Sequence, residues 1–258
     1  MKWWSICKRE LLSFFVSPVA YLVLTGFFLL AGYFFFNMLG YFNLAIERYA
    51  QMAQLMGGQQ PAPNLNQWVV EGYYQTLLVV LVFLVPFLTM RLIAEEKKKG
   101  TFELLVTSPL TVFDIVIGKF LGVSIFLLVM ILTAFMFPLL LIVFGNPEVA
   151  PIISGILGVT LCSLAFASIG IAVSALTENQ IIAGVSGMVV LLLFYVIHSP
   201  ADSFGGVTGE VLRYISPVLQ VQDLLKGVVS LKAIVYFMSV IIFGLFLTQR
   251  ALEAQRWR

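Results

Sequence analysis

Six long apolar stretches without a charged residue constrain the fold of this chain more than any other feature. They contain 17 to 36 residues each and occupy 11–46, 72–90, 120–147, 149–177, 179–201 and 233–249. A helix needs roughly 20 apolar residues to cross about 30 Å of hydrocarbon. Strands of a transmembrane barrel would instead be segments of about 10 residues with alternating polarity. The sequence therefore predicts an all-α polytopic membrane protein with six transmembrane helices.

The overall composition excludes several other classes of protein. The chain is 60% apolar and 11% charged, whereas a soluble domain averages about 45–50% and 25%. A soluble enzyme and a disordered chain are therefore excluded. The net charge of +2 gives no reason to expect a nucleic-acid partner, and Cys7 and Cys162 are predicted to be free thiols.

The chain is predicted to form a single transmembrane domain over residues 1–258. An amphipathic interfacial helix is expected at residues 1–17, retained rather than cleaved as a signal peptide. A polar loop of about 30 residues is expected after the first span, because Gln, Asn, Gly and Pro are frequent there. The predicted spans are 19–39, 74–93, 115–144, 152–176, 181–197 and 231–248.

The segment 199–230 is too apolar for a solvated loop and too weakly hydrophobic for another full span. Two short helices meeting at Ser216 and Pro217 would account for this pattern. We predict that they are re-entrant half-helices on the outer side, covered by protein because lipid cannot satisfy exposed backbone groups.

The distribution of Lys and Arg predicts the orientation in the membrane, since cytoplasmic loops carry the excess of positive charge. Eleven lie on one side and four on the other. Both termini and the stretch 91–119 are therefore expected in the cytoplasm. The eleven are Lys2, Lys8, Arg9, Arg91, Lys97, Lys98, Lys99, Lys119, Arg250, Arg256 and Arg258; the four are Arg48, Arg213, Lys226 and Lys232.

The six apolar windows lack the charged groups that ion-coupled carriers use to bind or relay an ion. No charged residue lies in the six windows, and His198 is expected at the outer end of span five. A phosphate-binding loop is absent too, because Phe113 and Phe120 stand where its pattern around Gly118-Lys119 requires Gly and Ser or Thr. The sequence thus predicts no catalytic, cofactor-binding or metal-binding residues, and the energy for transport has to come from a partner.

The most charged stretch of the chain, 95–109, predicts a short cytoplasmic helix between spans two and three. Span two can end at Gly100, with lysines at its carboxyl end. Thr101 can then cap a new helix whose apolar surface is Phe102, Leu104, Leu105 and Val106, and which Pro109 ends. Thr111 and Asp114 fit a capping box for span three.

This stretch resembles the loop of type 2 ABC-exporter permeases that forms the coupling helix, the segment that contacts the ATPase. The residues of the resemblance are Glu95, Glu96, Gly100, Thr101, Phe102, Glu103, Leu104, Leu105 and Pro109. Residues 115–120 are similar to the start of the family's third span, and Arg9-Glu10-Leu11 with Ser17-Pro18 resembles its N-terminal amphipathic helix. Val235-Tyr236-Phe237 and the stretch 250–257 are similar to the gliding-motility-type permease subgroup.

The resemblance implies a non-catalytic permease subunit in the bacterial cytoplasmic (inner) membrane. A second permease copy or a homologous permease would complete the pathway, and a cytoplasmic ABC ATPase would carry ATP and magnesium. Gliding-type systems add a subunit with a large extracytoplasmic domain. An N-terminal interface helix is implied as well, with Trp4, Lys8, Arg9, Glu10 and Leu11 beside the coupling loop.

Several alternatives stay open at the level of sequence. The charged stretch can simply set topology, and the chain can be a stand-alone channel, a secondary carrier or a structural anchor of an envelope complex. The substrate and the choice between homodimer and heterodimer are not indicated. Small-residue pairs such as Gly118/Gly122 and Gly184/Gly187 favour packing within one subunit over a dimer seam.

Overall fold

The computed structural model describes residues 2–56, 62–101, 110–145, 147–199 and 206–256. Within these ranges the chain forms nine α-helices. They are α1 (Lys2–Val16), α2 (Pro18–Met56), α3 (Gly72–Lys98), α4 (Val112–Phe144), α5 (Val149–Ala175), α6 (Gln180–Val196), α7 (Gly206–Ile215), α8 (Pro217–Leu225) and α9 (Leu231–Arg256).

Five segments are long and apolar enough to cross a membrane: 18–54, 66–98, 112–144, 149–175 and 231–255. The chain is thus a multi-pass, all-helical membrane protein in its described part. Helix α6 is apolar but has only 17 residues, or about 25 Å at 1.5 Å per residue. Five helices are therefore long enough to span a membrane, and α6 is a sixth, shorter apolar helix.

The predicted polar loop after the first span is wrong over residues 40–56. Helix α2 continues to Met56, because residues 41–56 contain no Gly or Pro and are rich in Ala, Leu, Met, Gln and Glu, which favour helix. On the other side of the loop, a π-helical turn, Asn66–Glu71, leads directly into α3.

Helix α5 lies at the centre and packs against α3, α4, α6, α8 and α9. Small residues on α5 and on its neighbours allow this close approach. A Cβ at Gly158 of α5 would lie 2.9 Å from Val221 Cγ2, and one at Gly244 of α9 would lie 2.6 Å from Ser168 Oγ of α5. Two tyrosine hydroxyls of α3 donate hydrogen bonds across the core, Tyr73 to Ala134 O and Tyr74 to Ile152 O, both at 2.8 Å.

Helices α7 and α8 meet at Ser216-Pro217. The Ser216 hydroxyl accepts a hydrogen bond from Leu219 N, which caps α8. Helix α8 is buried against α5 through Val221, Leu224 and Leu225. In contrast, α7 leaves most of its apolar residues exposed, so α8 anchors the pair to the helix bundle.

Candidate functional site

The N-terminal helix α1 lies directly against the start of α4. A Cβ at Gly118 would lie 2.7 Å from Ile6 Cβ and 2.8 Å from Trp3 O, and a Cβ at Gly122 would lie 2.7 Å from Glu10 Cβ. Real Cβ atoms do not approach so closely, so these two glycines permit the contact. Gly184 similarly faces the Met90 side chain and Gly187 faces Pro86. The predicted role of these pairs in packing within the chain is confirmed.

This contact brings together four charged side chains, Arg9, Glu10, Glu96 and Lys119, which we call the charge cluster. Lys119 Nζ lies 2.8 Å from Glu10 Oε1 and 2.8 Å from Glu96 Oε2. Arg9 Nη2 lies 2.7 Å from Glu96 Oε1 and 3.3 Å from Glu10 Oε1. Two cations therefore share two carboxylates, and the cluster is electrically neutral.

Burial increases from the rim of the charge cluster to its centre. The side chain of Lys119 is 0% exposed, those of Glu10 and Glu96 are 11% and 18% exposed, and that of Arg9 is 51% exposed. Burying a charge is costly unless it is paired. The position of Lys119 thus depends on one carboxylate from α1 and one from α3. The cluster therefore connects α1, α3 and α4.

The flank of α3 that leads into the predicted coupling segment is also well defined. Helix α3 ends at Lys98, and the predicted terminating residue Gly100 follows two positions later with a φ of 67°, which favours glycine. Lys99 Nζ lies 2.6 Å from Glu95 Oε1, and the Thr101 hydroxyl donates to Glu96 O at 3.2 Å. Lys97 Nζ donates a hydrogen bond to Ala175 O, so the end of α3 is joined to the end of α5 as well.

The other flank begins with the predicted capping box of α4. The Thr111 hydroxyl accepts from Asp114 N at 3.1 Å, and Asp114 Oδ2 accepts from Thr111 N at 3.3 Å. These two bonds satisfy backbone donors that a helix start otherwise leaves free. Helix α4 therefore has a fixed starting point, two turns before Lys119.

The structure describes only some of the predicted site residues. Phe102, Glu103, Leu104, Leu105 and Pro109 lie outside the described residues, so the coupling helix itself stays a prediction. On α1, Arg9 and Glu10 belong to the charge cluster. Leu11 is half-buried, while Trp4 and Lys8 are exposed.

Sequence reasoning missed the role of Lys119, which it counted only as a cytoplasmic charge. The available signal was a lysine at the boundary of an apolar run, following Gly118, together with Glu10 at helical spacing from the apolar residues Ile6 and Phe14 of α1. A second missed contact is Arg91, whose guanidinium carbon lies 4.0 Å from the centre of the Phe14 ring. Phe14 is itself buried and stacked on Phe126 at 4.9 Å, so the guanidinium has a rigid support.

Cys7 gives a test of the docked position of α1. It is fully buried on the face of α1 that carries Glu10. Burial, and secondarily the charge of Glu10, raise the pKa of the Cys7 thiol above its ordinary value. Less of the reactive thiolate is then present at neutral pH.

We therefore expect Cys7 in a Cys162→Ala chain to resist maleimide at pH 7.5 and to react after denaturation in SDS, as measured by a gel-shift assay. The matched control moves the thiol to the exposed position of the same helix, Ser5→Cys in a chain lacking both native cysteines, and should react at once. Equal rates at positions 5 and 7 in the folded protein would contradict the docked position of α1.

Comparison with known proteins identifies the family of this chain. The family model for ABC-2 family transporter proteins matches residues 4–249. The chain belongs to this family. The match covers nearly all of α1, the charge cluster, four of the long apolar segments and most of the fifth. With its apolar helices this ABC-2 family protein fits a permease subunit of an ABC transporter. No curated protein matches the chain.

Family membership also bears on catalysis and partners. ABC-2 membrane subunits are typically non-catalytic and in general work with an ABC ATPase. Among the described residues of this ABC-2 family protein, no group of three or more His, Cys, Asp or Glu could hold a metal ion.

Proposed function

We propose that the chain is the permease subunit of an ATP-driven exporter and that it couples to a separate cytoplasmic ATPase through residues 95–109. In this proposal six spans, including the short α6, cross the bacterial inner membrane with both termini in the cytoplasm. Two permease subunits form the pathway, and α7 with α8 re-enters from the outer side. The gliding-motility subgroup, with its extracytoplasmic partner, is part of the same proposal.

The observation that carries the proposal is the charge cluster. Glu96 lies at the end of α3, and Lys119 lies near the start of α4, so the two residues stand on opposite flanks of 102–109. Both contact α1 through Glu10 or Arg9. A force applied to the segment would therefore reach α1, α3 and α4 together.

Rigid flanks suit this role. Side chains in a close-packed, hydrogen-bonded cluster transmit displacement because their arrangement cannot deform continuously. Closure of the ATPases on ATP would shift the coupling segment, and the three helices would follow as a unit. The ATPase has to favour one of two permease conformations for this to do work.

The proposal is tested by Leu104→Asp and Glu103→Lys in the coupling segment. Purified in mild detergent from its native membranes, the tagged wild-type chain is expected to bring an ATPase with it. We expect Leu104→Asp to recover at least about tenfold less ATPase, because a desolvated charge at an apolar contact costs more than 1.4 kcal/mol. We expect a similar loss for Glu103→Lys, because it reverses the charge that the segment presents to its partner.

The matched control is Val229→Asp, which adds the same charge at an exposed apolar position between α8 and α9, on the side proposed to face outward. It should recover ATPase like the wild type. If Leu104→Asp and Glu103→Lys also recover wild-type amounts of ATPase, the coupling assignment is wrong. A wild-type chain that purifies without an ATPase would instead support a stand-alone carrier.

A further inference from the structure

A polar cavity of about 520 Å³ lies between α1, α3 and α4, beside the charge cluster. It is lined by four cations, Arg9, Arg91, Lys99 and Lys119, and by three carboxylates, those of Glu10, Glu95 and Glu96. The lining therefore has one more positive charge than negative. A cavity of this size and charge can hold an anionic group.

Arg91 is the cation whose charge is not matched by a contact. Arg9, Lys99 and Lys119 each contact a glutamate, whereas the described residues provide Arg91 with no hydrogen bond or ion pair. Glu95 and Glu10 act on it only at longer range. The Phe14 ring holds the guanidinium by its face, which leaves its N–H donors directed along its edge.

Two hydroxyl groups lie on the same cavity wall. Ser13 and Ser17 line the cavity from α1 and from the junction with α2. Neither hydroxyl makes a hydrogen bond within the described part of the chain. A guanidinium edge with two free hydroxyls matches the several acceptor oxygens of a phosphate group.

The position of the cavity indicates the source of the phosphate. Leu12 and Val16 on α1 are 54% and 78% exposed, so this helix leaves apolar side chains on its outer surface next to Ser13 and Ser17. Such a helix lies in the membrane interface with its apolar face toward the acyl chains. The cavity then opens at the depth of the lipid headgroups.

We propose that Arg91, Ser13 and Ser17 bind the phosphate of an anionic phospholipid from the cytoplasmic leaflet. The headgroup would sit against α1 and α3 and would cover the edge of the charge cluster. An anionic lipid is favoured over a zwitterionic one because the carboxylates of the cavity already contact lysine or arginine. The proposal takes the cytoplasmic side from the orientation proposed above, but it does not depend on the ATPase.

The test uses the purified full-length chain in a neutral detergent, with bound lipid counted by native mass spectrometry. Phosphatidylglycerol, phosphatidylcholine and soluble glycerol phosphate are added separately. We expect saturable binding of phosphatidylglycerol, with at least about tenfold weaker binding of phosphatidylcholine. Arg91→Gln should weaken phosphatidylglycerol binding about tenfold or more, since a hydrogen bond to a charged group contributes at least that factor.

Arg250→Gln is the matched control. Its guanidinium also lies over a phenylalanine, 5.1 Å from the Phe246 ring centre, but it is paired with Glu253 at 2.9 Å. This variant should bind phosphatidylglycerol like the wild type. Ser13→Asp is a second probe, because it places a carboxylate at an exposed position beside Arg91 and should reduce binding as Arg91→Gln does while keeping the guanidinium.

Protection of Cys7 from maleimide shows that each variant is folded. The proposal is wrong if folded Arg91→Gln or Ser13→Asp binds phosphatidylglycerol with wild-type affinity, or if phosphatidylcholine binds equally well. Tight binding of glycerol phosphate alone, unaffected by phosphatidylglycerol, would identify a soluble phosphate as the ligand and would also overturn it. If Arg91→Gln lost ATPase recovery but bound lipid as before, the cavity would be a binding site for the ATPase and not for a lipid.

Discussion

Replacing Lys119 with methionine is expected to destabilise the protein by about 3–5 kcal/mol, because it leaves buried carboxylates without their cation. Glu10 and Glu96 would then share only Arg9, whose side chain is half-exposed. Mutual repulsion should push α1 away from α4. The expected result is a large fall in the thermal unfolding midpoint, measured in detergent, together with rapid maleimide labelling of Cys7.

Two variants separate the loss of pairing from the loss of a lysine. Lys99→Met removes a lysine paired with Glu95, but this side chain is 64% exposed, and such surface pairs contribute only about 0–1 kcal/mol. Glu10→Gln/Glu96→Gln/Lys119→Met removes the buried charges together and should recover most of the stability. If Lys119→Met unfolds at the wild-type temperature with Cys7 protected, the charge cluster does not hold α1.

Local sequence signals predicted the helix ends near the candidate site. Gly100 adopts the left-handed conformation that ends α3, and Thr111 with Asp114 forms the capping box of α4. Ser216-Pro217 likewise separates two short helices. These features depend on neighbours within four residues, so the sequence contains the information directly.

Contacts between residues that are far apart in the chain could not be predicted from a single sequence. Lys119 and Glu10 are 109 positions apart, and the count of Lys and Arg placed Lys119 on the cytoplasmic side without pairing it with Glu10. The apolar residues of α1 are covered unequally, since Cys7 and Phe14 are buried but Trp4 is 53% exposed. An amphipathic pattern identifies an apolar face without deciding whether protein or lipid covers it.

The extension of α2 shows a different limit. Its polar residues after position 39 suggested a loop, yet polarity along a helix beyond the hydrocarbon region is equally compatible with continued helix. The hydropathy of the chain therefore predicts where the membrane lies better than where a helix ends. Glycine and proline, which are absent from 41–56, were the more informative residues at that position.

Gly118→Val is expected to displace α1 by a steric route that leaves all four charges in place. The new Cβ would lie within 2.8 Å of Ile6 and of the Trp3 carbonyl oxygen, and a backbone atom cannot move aside as a flexible side chain can. Overpacking of this kind costs about 1–3 kcal/mol. We expect a lower unfolding midpoint and faster labelling of Cys7 than in the wild type.

Gly26→Val is the matched control, since a Cβ at this α2 position meets nothing within 4 Å. It should leave both the midpoint and Cys7 protection unchanged. The double variant Gly118→Val/Lys119→Met is the sharper test, because contacts within one interface are not additive. If α1 is already displaced by the loss of Lys119, then adding Gly118→Val should cost little more, whereas fully additive effects would mean that the glycine contact and the charge cluster act independently.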